Sequence, residues 1–260
     1  IQTAHVLRSV SLSLVSVYVP AFLLTHGFSL EDVLLFFVLY HGIGLSAVFL
    51  AIVPLMRKCG IVKTIRGYFP LQMIFLGILF LAGDRQEWFW IAACIGGIAN
   101  MTYYVPLNIL FMRHTDSGSI AKDFSFFFAL PAIFGIAGPI LGAFLVVNVG
   151  FWSVFSLAFL GLAMSLLPLG SIQDDEKISL DISSAFSHLR RRKLLFFLEG
   201  FDNVVEESEW FWGILVYLFI GSLATPGIVG ALESLGGALF TILVGRYVNK
   251  ERGTLSVLFL

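Results

Sequence analysis

Five carboxylates, Glu199, Asp202, Glu206, Glu207 and Glu209, fall close together and run directly into the apolar stretch that begins at Trp210. Crowded acids raise one another's proton affinity, as does withdrawal from water, so one member of such a group can exchange a proton near neutral pH. At about 100° per residue, Glu199, Asp202, Glu206 and Glu209 share an arc of roughly 80° on a helix, with Glu207 off it. That stripe suits protons or cations in a wet cavity, and the plainer reading is a structural wet face. A second polar set comprises Asn100, Thr102, Tyr103, Tyr104 and Asn108, of which residues 100, 104 and 108 share one face. Their amides and phenols can hydrogen-bond a solute or tie helices together. His41, within Tyr40-His41-Gly42, can titrate or serve as a structural donor. Ser9, Ser13 and Ser16, and the pair Gly236-Gly237, read as packing positions.

Other chemistries lack their residues. The five His are scattered, and Cys59 and Cys94 show neither disulfide nor metal-ligand spacing. No phosphate-loop lysine motif is present, so a pump built from this chain draws on a gradient rather than on a nucleotide. No metal, cofactor or nucleic-acid partner is expected, and neither is an enzyme.

The elements that must carry these residues follow from composition. Hydrophobic residues make up 58% and charged residues 13% of the 260, with a mean hydropathy of +0.93. Soluble domains average about 45–50% and about 25%. Apolar stretches near 6–24, 33–55, 65–82, 88–111, 124–147, 151–168, 194–221 and 227–248 approach the roughly 20 residues that cross a bilayer, and a ninth begins near Thr254. The 27 Phe residues mostly lie in these stretches, and Trp88 and Trp90 fit an interfacial belt.

Orientation follows from Lys and Arg, which favour cytoplasmic loops. All of the 16 basic residues except Arg85 fall on one side when Arg8 is counted with the N-terminus, which places that terminus in the cytoplasm. Were the seventh stretch not to cross, Arg246, Lys250 and Arg252 would change sides, against this bias. Counting back from Gly221 at about 1.5 Å per residue then puts Glu209 some 18 Å deep and Glu206 about 22 Å. A charge at that depth costs on the order of 2.5–3.5 kcal/mol and normally faces a cavity, a partner or a proton path.

The hydrophilic stretch 171–193, ending in Arg190 to Lys193, separates six helices from the remainder. The expected units are a six-helix bundle over 1–170, a cytoplasmic linker over 171–193 and the start of a second bundle over 194–260, with the chain trimmed at both ends. The short turn Asn148-Val149-Gly150 makes the fifth and sixth helices antiparallel neighbours.

This layout resembles the major facilitator superfamily, and three local sequences carry the likeness. Gly60 and Lys63, after the second helix, fit the family's cytoplasmic glycine-and-charge motif, although Arg57 stands where an acid is usual. Gly245, Asn249, Lys250 and Arg252 look like its second copy. Gly135, Gly138, Pro139 and Gly142 look like the fifth-helix motif of antiporters and exporters, and also suit a tightly packed, bent helix. The resemblance implies an all-α polytopic membrane fold and a monomeric, alternating-access secondary transporter of a small solute in a prokaryotic cytoplasmic membrane. Proton coupling and efflux by antiport are expected. An uptake symporter for sugars or other metabolites remains open, as does a receptor, scaffold or enzyme without transport activity.

Overall fold

The computed structural model describes residues 1–83, 85, 87–114, 120–170, 172, 177, 194 and 209–250. Among them all regular structure is helical: α1 (Gln2–Ser13), a 3-10 turn (Ser16–Tyr18), α2 (Val19–Thr25), α3 (Leu30–Ala47), a π turn (Val48–Ile52), α4 (Val53–Cys59), α5 (Ile61–Ala82), α6 (Glu87–His114), α7 (Ile120–Gly135), α8 (Ala137–Asn148), α9 (Phe151–Ser165), α10 (Leu167–Gly170), α11 (Glu209–Ile220) and α12 (Thr225–Lys250).

Seven stretches among the described residues are long and apolar enough to cross a bilayer: Gln2–Thr25, Leu30–Cys59, Ile61–Ala82, Glu87–His114, Phe126–Asn148, Phe151–Gly170 and Thr225–Leu243. Their outward faces are apolar as well, with Leu50 at 81% and Leu167 at 74% exposure. So much bare hydrocarbon on so many helices fits lipid as the surrounding solvent. The protein is therefore an all-helical, multi-pass membrane protein.

Proline accounts for most of the interruptions. Pro20 cannot donate a hydrogen bond to the Ser16 carbonyl, and the first span tightens into a 3-10 turn at that point, with Tyr18 N–H reaching Val15 O at 3.0 Å. Pro54 likewise follows the π turn of the second span, Pro139 the break at Ile136 and Pro168 the break at Leu166. Pro70, Pro106 and Pro131 sit inside unbroken helices. Sharp ends come from capping and glycine. Ser29 and Asp32 exchange hydrogen bonds as a capping box that starts α3, while Gly60, Gly150 and Gly221 turn the chain with φ of 93°, 104° and 68°.

The helix pairing builds one bundle from the first six spans. α5 and α6 lie along each other, α3 packs on α6, and α1 lies against α7, α8 and α9, with α9 closing back onto α5. α3 crosses α6 closely, so that a methyl on Gly97 would strike the Tyr40 carbonyl and one on Gly44 would strike the Gly97 carbonyl. Arg66 fastens the end of the sixth span by donating to the Leu169 and Ile172 carbonyls. α12 then packs along α7 and α8, and α11 against α2 and the neighbouring 3-10 turn. As the short turn predicts, α8 and α9 are neighbours.

Several expectations move. Arg8 belongs to the first span itself and is 4% exposed, so it does not count among the loop charges that set orientation. α12 runs on to Lys250, so Gly245, Asn249 and Lys250 are helical rather than part of a loop. Gly236 and Gly237 have no described atom within 4 Å of an added methyl, and the close approach of α12 is made instead at Gly227 and Gly230. The linker 171–193 apart from Ile172 and Lys177, most of 194–221 before Glu209, and the ninth stretch lie outside the described residues.

Candidate functional site

Arg8 is an arginine on a membrane-spanning helix, and such a charge needs partners that water would otherwise supply. Three tyrosines surround it. Its Nε donates to Tyr68 Oη at 2.7 Å, and Nη1 lies 3.5 Å from Tyr104 Oη. The guanidinium carbon stands 3.9 Å from the Tyr103 ring centroid, 4.8 Å from that of Tyr68 and 4.9 Å from that of Tyr104. Desolvated cation–π contacts contribute roughly 2 kcal/mol each, which helps a buried guanidinium persist. They do not neutralise it. Among the described residues no carboxylate pairs with Arg8.

The cage is assembled from three spans. His5 and Arg8 are three residues apart on α1 and so face the same way. Tyr68 comes from α5, and Tyr103 and Tyr104 from α6. His5 Nδ1 lies 2.8 Å from Tyr103 Oη, and its ring stacks on Phe127 of α7 at 4.9 Å. His5 Nε2 is sealed from solvent and has no hydrogen-bond partner, an unusual condition for a buried polar atom. Gln2 adds a tie to α7 by donating to the Phe127 carbonyl at 3.3 Å.

One wall is open. Tyr68 and Tyr103 are fully enclosed, whereas Tyr104 is 37% exposed. Asn100 and Asn108 lie one turn to either side of Tyr104 on α6, Asn100 half-buried and Asn108 exposed. The polar face read from the four-residue spacing therefore flanks Tyr104, the exposed member of the cage. Tyr103 stands off that face, with its ring against Arg8 and its hydroxyl at His5.

A second cluster forms where two bent spans cross. Tyr18 donates to the Pro139 carbonyl at 2.8 Å. A methyl on Gly138 would collide with Ser13, and one on Gly142 with the Leu14 carbonyl and the Tyr18 ring. From the other side, Gly227 of α12 sits against Tyr18, the Pro139 carbonyl and Ala143, and Gly230 against Val17 and Pro139. The fifth-helix glycines and the Ser13 position thus work as packing. Gly135 is looser, with Ser13 at 4.0 Å.

Gly60 makes the turn between the second and third spans, and Lys63 is exposed in the first turn of α5. Glu209 opens α11, but its side chain lies outside the described residues, as do those of Asn249 and Lys250. Glu199, Asp202, Glu206, Glu207 and Arg252 lie wholly outside them. α11 ends at Ile220, where Gly221 N–H bonds the Tyr217 carbonyl at 2.8 Å, the end from which the depth of Glu209 was counted. His41 stacks edge-on against Tyr40 at 5.0 Å, within the second span.

Sequence reasoning missed Arg8 because it lies two residues into an apolar run and was assigned to the adjoining terminus. The available signal was the His5–Arg8 spacing on an otherwise apolar helix. No family model matches the chain, and no curated protein matches it. The chain stands as an all-helical, multi-pass membrane protein with a buried, tyrosine-caged arginine on its first described span.

Proposed function

We propose that the protein is a secondary transporter of the major-facilitator type, moving a small solute by alternating access between its six-helix bundle and the helices docked on it. The observation that carries this reading is Arg8. A charge 4% exposed on a membrane helix, without a carboxylate partner among the described residues, is costly to keep for packing alone. Its open wall is lined by Tyr104, flanked by Asn100 and Asn108, as a solute-binding face requires. Support for movement comes from the crossing at Tyr18 and Pro139, where α12 meets two bent spans at a glycine-rich contact.

The acidic residues of the seventh stretch supply the coupling in this proposal, with Glu206 and Glu209 carrying protons. Efflux by antiport rests on the fifth-helix motif. Uptake by symport is favoured instead by Arg8, because a proton entering with an anionic solute leaves the electrical work small. A cytoplasmic N-terminus is part of the proposal, since Arg85 remains the lone basic residue opposite the basic loops after Arg8 is set aside.

The test is dissipation of a pH gradient in vesicles containing the full chain, challenged in turn with lipophilic cations, sugars, amino acids and organic acids. Solute-dependent proton movement that is lost in correctly inserted Glu206→Gln and Glu209→Gln variants supports coupled transport. Absence of any solute flux with folded, inserted protein overturns it.

A further inference from the structure

We propose that the Arg8 cage binds the carboxylate of a singly charged organic acid, with Tyr104 as the entry side. The inference deepens the transporter reading by naming the chemical class of its solute.

The charge balance selects the ligand. Arg8 is cationic at any physiological pH, and the described residues place three phenols around it, one of them bonded to the His5 imidazole, but no anion. A carboxylate neutralises one guanidinium. A phosphate dianion would leave an uncompensated negative charge inside the membrane, and a cation would add repulsion. Nη1, at its loose 3.5 Å contact with Tyr104, is the guanidinium donor that a carboxylate can take up. Nε is already committed to Tyr68 at 2.7 Å, which fixes the plane of the group.

The position of the cage gives the rest. Tyr68 and Tyr103 close the back, and Tyr104 alone among the three tyrosines is substantially exposed. Its hydroxyl can donate to the arriving carboxylate, while Asn100 and Asn108 stand beside it for polar substituents. His5 holds Tyr103 at 2.8 Å and carries a spare buried nitrogen, Nε2, on the far side. A ligand exchanging its contact with Tyr104 for the guanidinium needs no rearrangement of the buried wall.

The experiment is chemical protection of the native full chain in detergent or vesicles. Phenylglyoxal modification of Arg8 is read by mass spectrometry with and without benzoate, inorganic phosphate or tetraphenylphosphonium. Expected is modification of Arg8 that benzoate suppresses, while the other two probes do not. Radiolabelled benzoate binding should fall about tenfold or more in Arg8→Gln and several-fold in Tyr104→Phe, a change at an exposed position that leaves the buried cage intact. Protection by tetraphenylphosphonium alone, or benzoate binding unchanged in Tyr104→Phe and in a folded Arg8→Gln, overturns the proposal. So does an Arg8 that becomes reactive only after Asp202→Asn or Glu199→Gln, because its anion is then internal. Benzoate binding without gradient-driven flux keeps this assignment and removes the transporter reading. Flux of cations without benzoate binding does the reverse.

Discussion

At the residue scale, Arg8 separates stability from use. Replacing a buried ionic group by an apolar one of similar volume is often neutral or stabilising, whereas removing only its partner is not. Arg8→Met is therefore expected to melt at or above the native temperature in thermal scans while losing solute binding. Tyr68→Phe should behave in the opposite sense: Nε loses its 2.7 Å acceptor inside a sealed wall, a cost of about 1–3 kcal/mol that appears as a lowered melting temperature. Equal destabilisation by both changes would make Arg8 a structural group. The cage was hard to read from the sequence because Arg8 is separated from its tyrosines by up to 96 positions and they meet only after three helices pack. The Asn100, Tyr104 and Asn108 face was readable because one helix alone generates it.

At the element scale, the spans were legible through their unbroken apolar length, and most of their ends through glycine. The breaks were less so. Pro20, Pro54, Pro139 and Pro168 each follow an interruption, while Pro70, Pro106 and Pro131 do not, because whether neighbours accommodate the lost hydrogen bond is decided by packing. The glycines separate in the same way. Gly97→Val is expected to push α3 from α6, since its Cβ would meet the Tyr40 carbonyl, and to abolish folded protein in size-exclusion profiles. Gly77→Ala, with no described atom within 4 Å of its added methyl, should leave the profile unchanged. Gly227→Val should spare the first bundle but weaken the seat of α12 on Tyr18 and Pro139, seen as faster proteolysis between the bundle and α12.

At the scale of the whole molecule, the alternation of turns places Gly60 and Gly150 at opposite ends of the bundle, separated by the third, fourth and fifth spans. Single cysteines at Lys63 and Asn148, both exposed, are thus expected to react with a membrane-impermeant maleimide from opposite faces of sealed vesicles. Labelling of both from one face would refute the multi-pass arrangement. The caged arginine also has a consequence for synthesis. The span that carries Arg8 is made before those that supply Tyr68, Tyr103 and Tyr104, and a lone arginine costs up to about 3 kcal/mol on entering the membrane. Tyr104 is made 96 residues later, which at 5–20 residues per second is a delay of roughly 5–20 s. During that interval the nascent first helix is committed to lipid only marginally, and the ribosome must reach the fourth span before the first is secured. Securing of the Arg8 helix is thus a late event in the birth of this protein, governed by residues not yet made when that helix emerges.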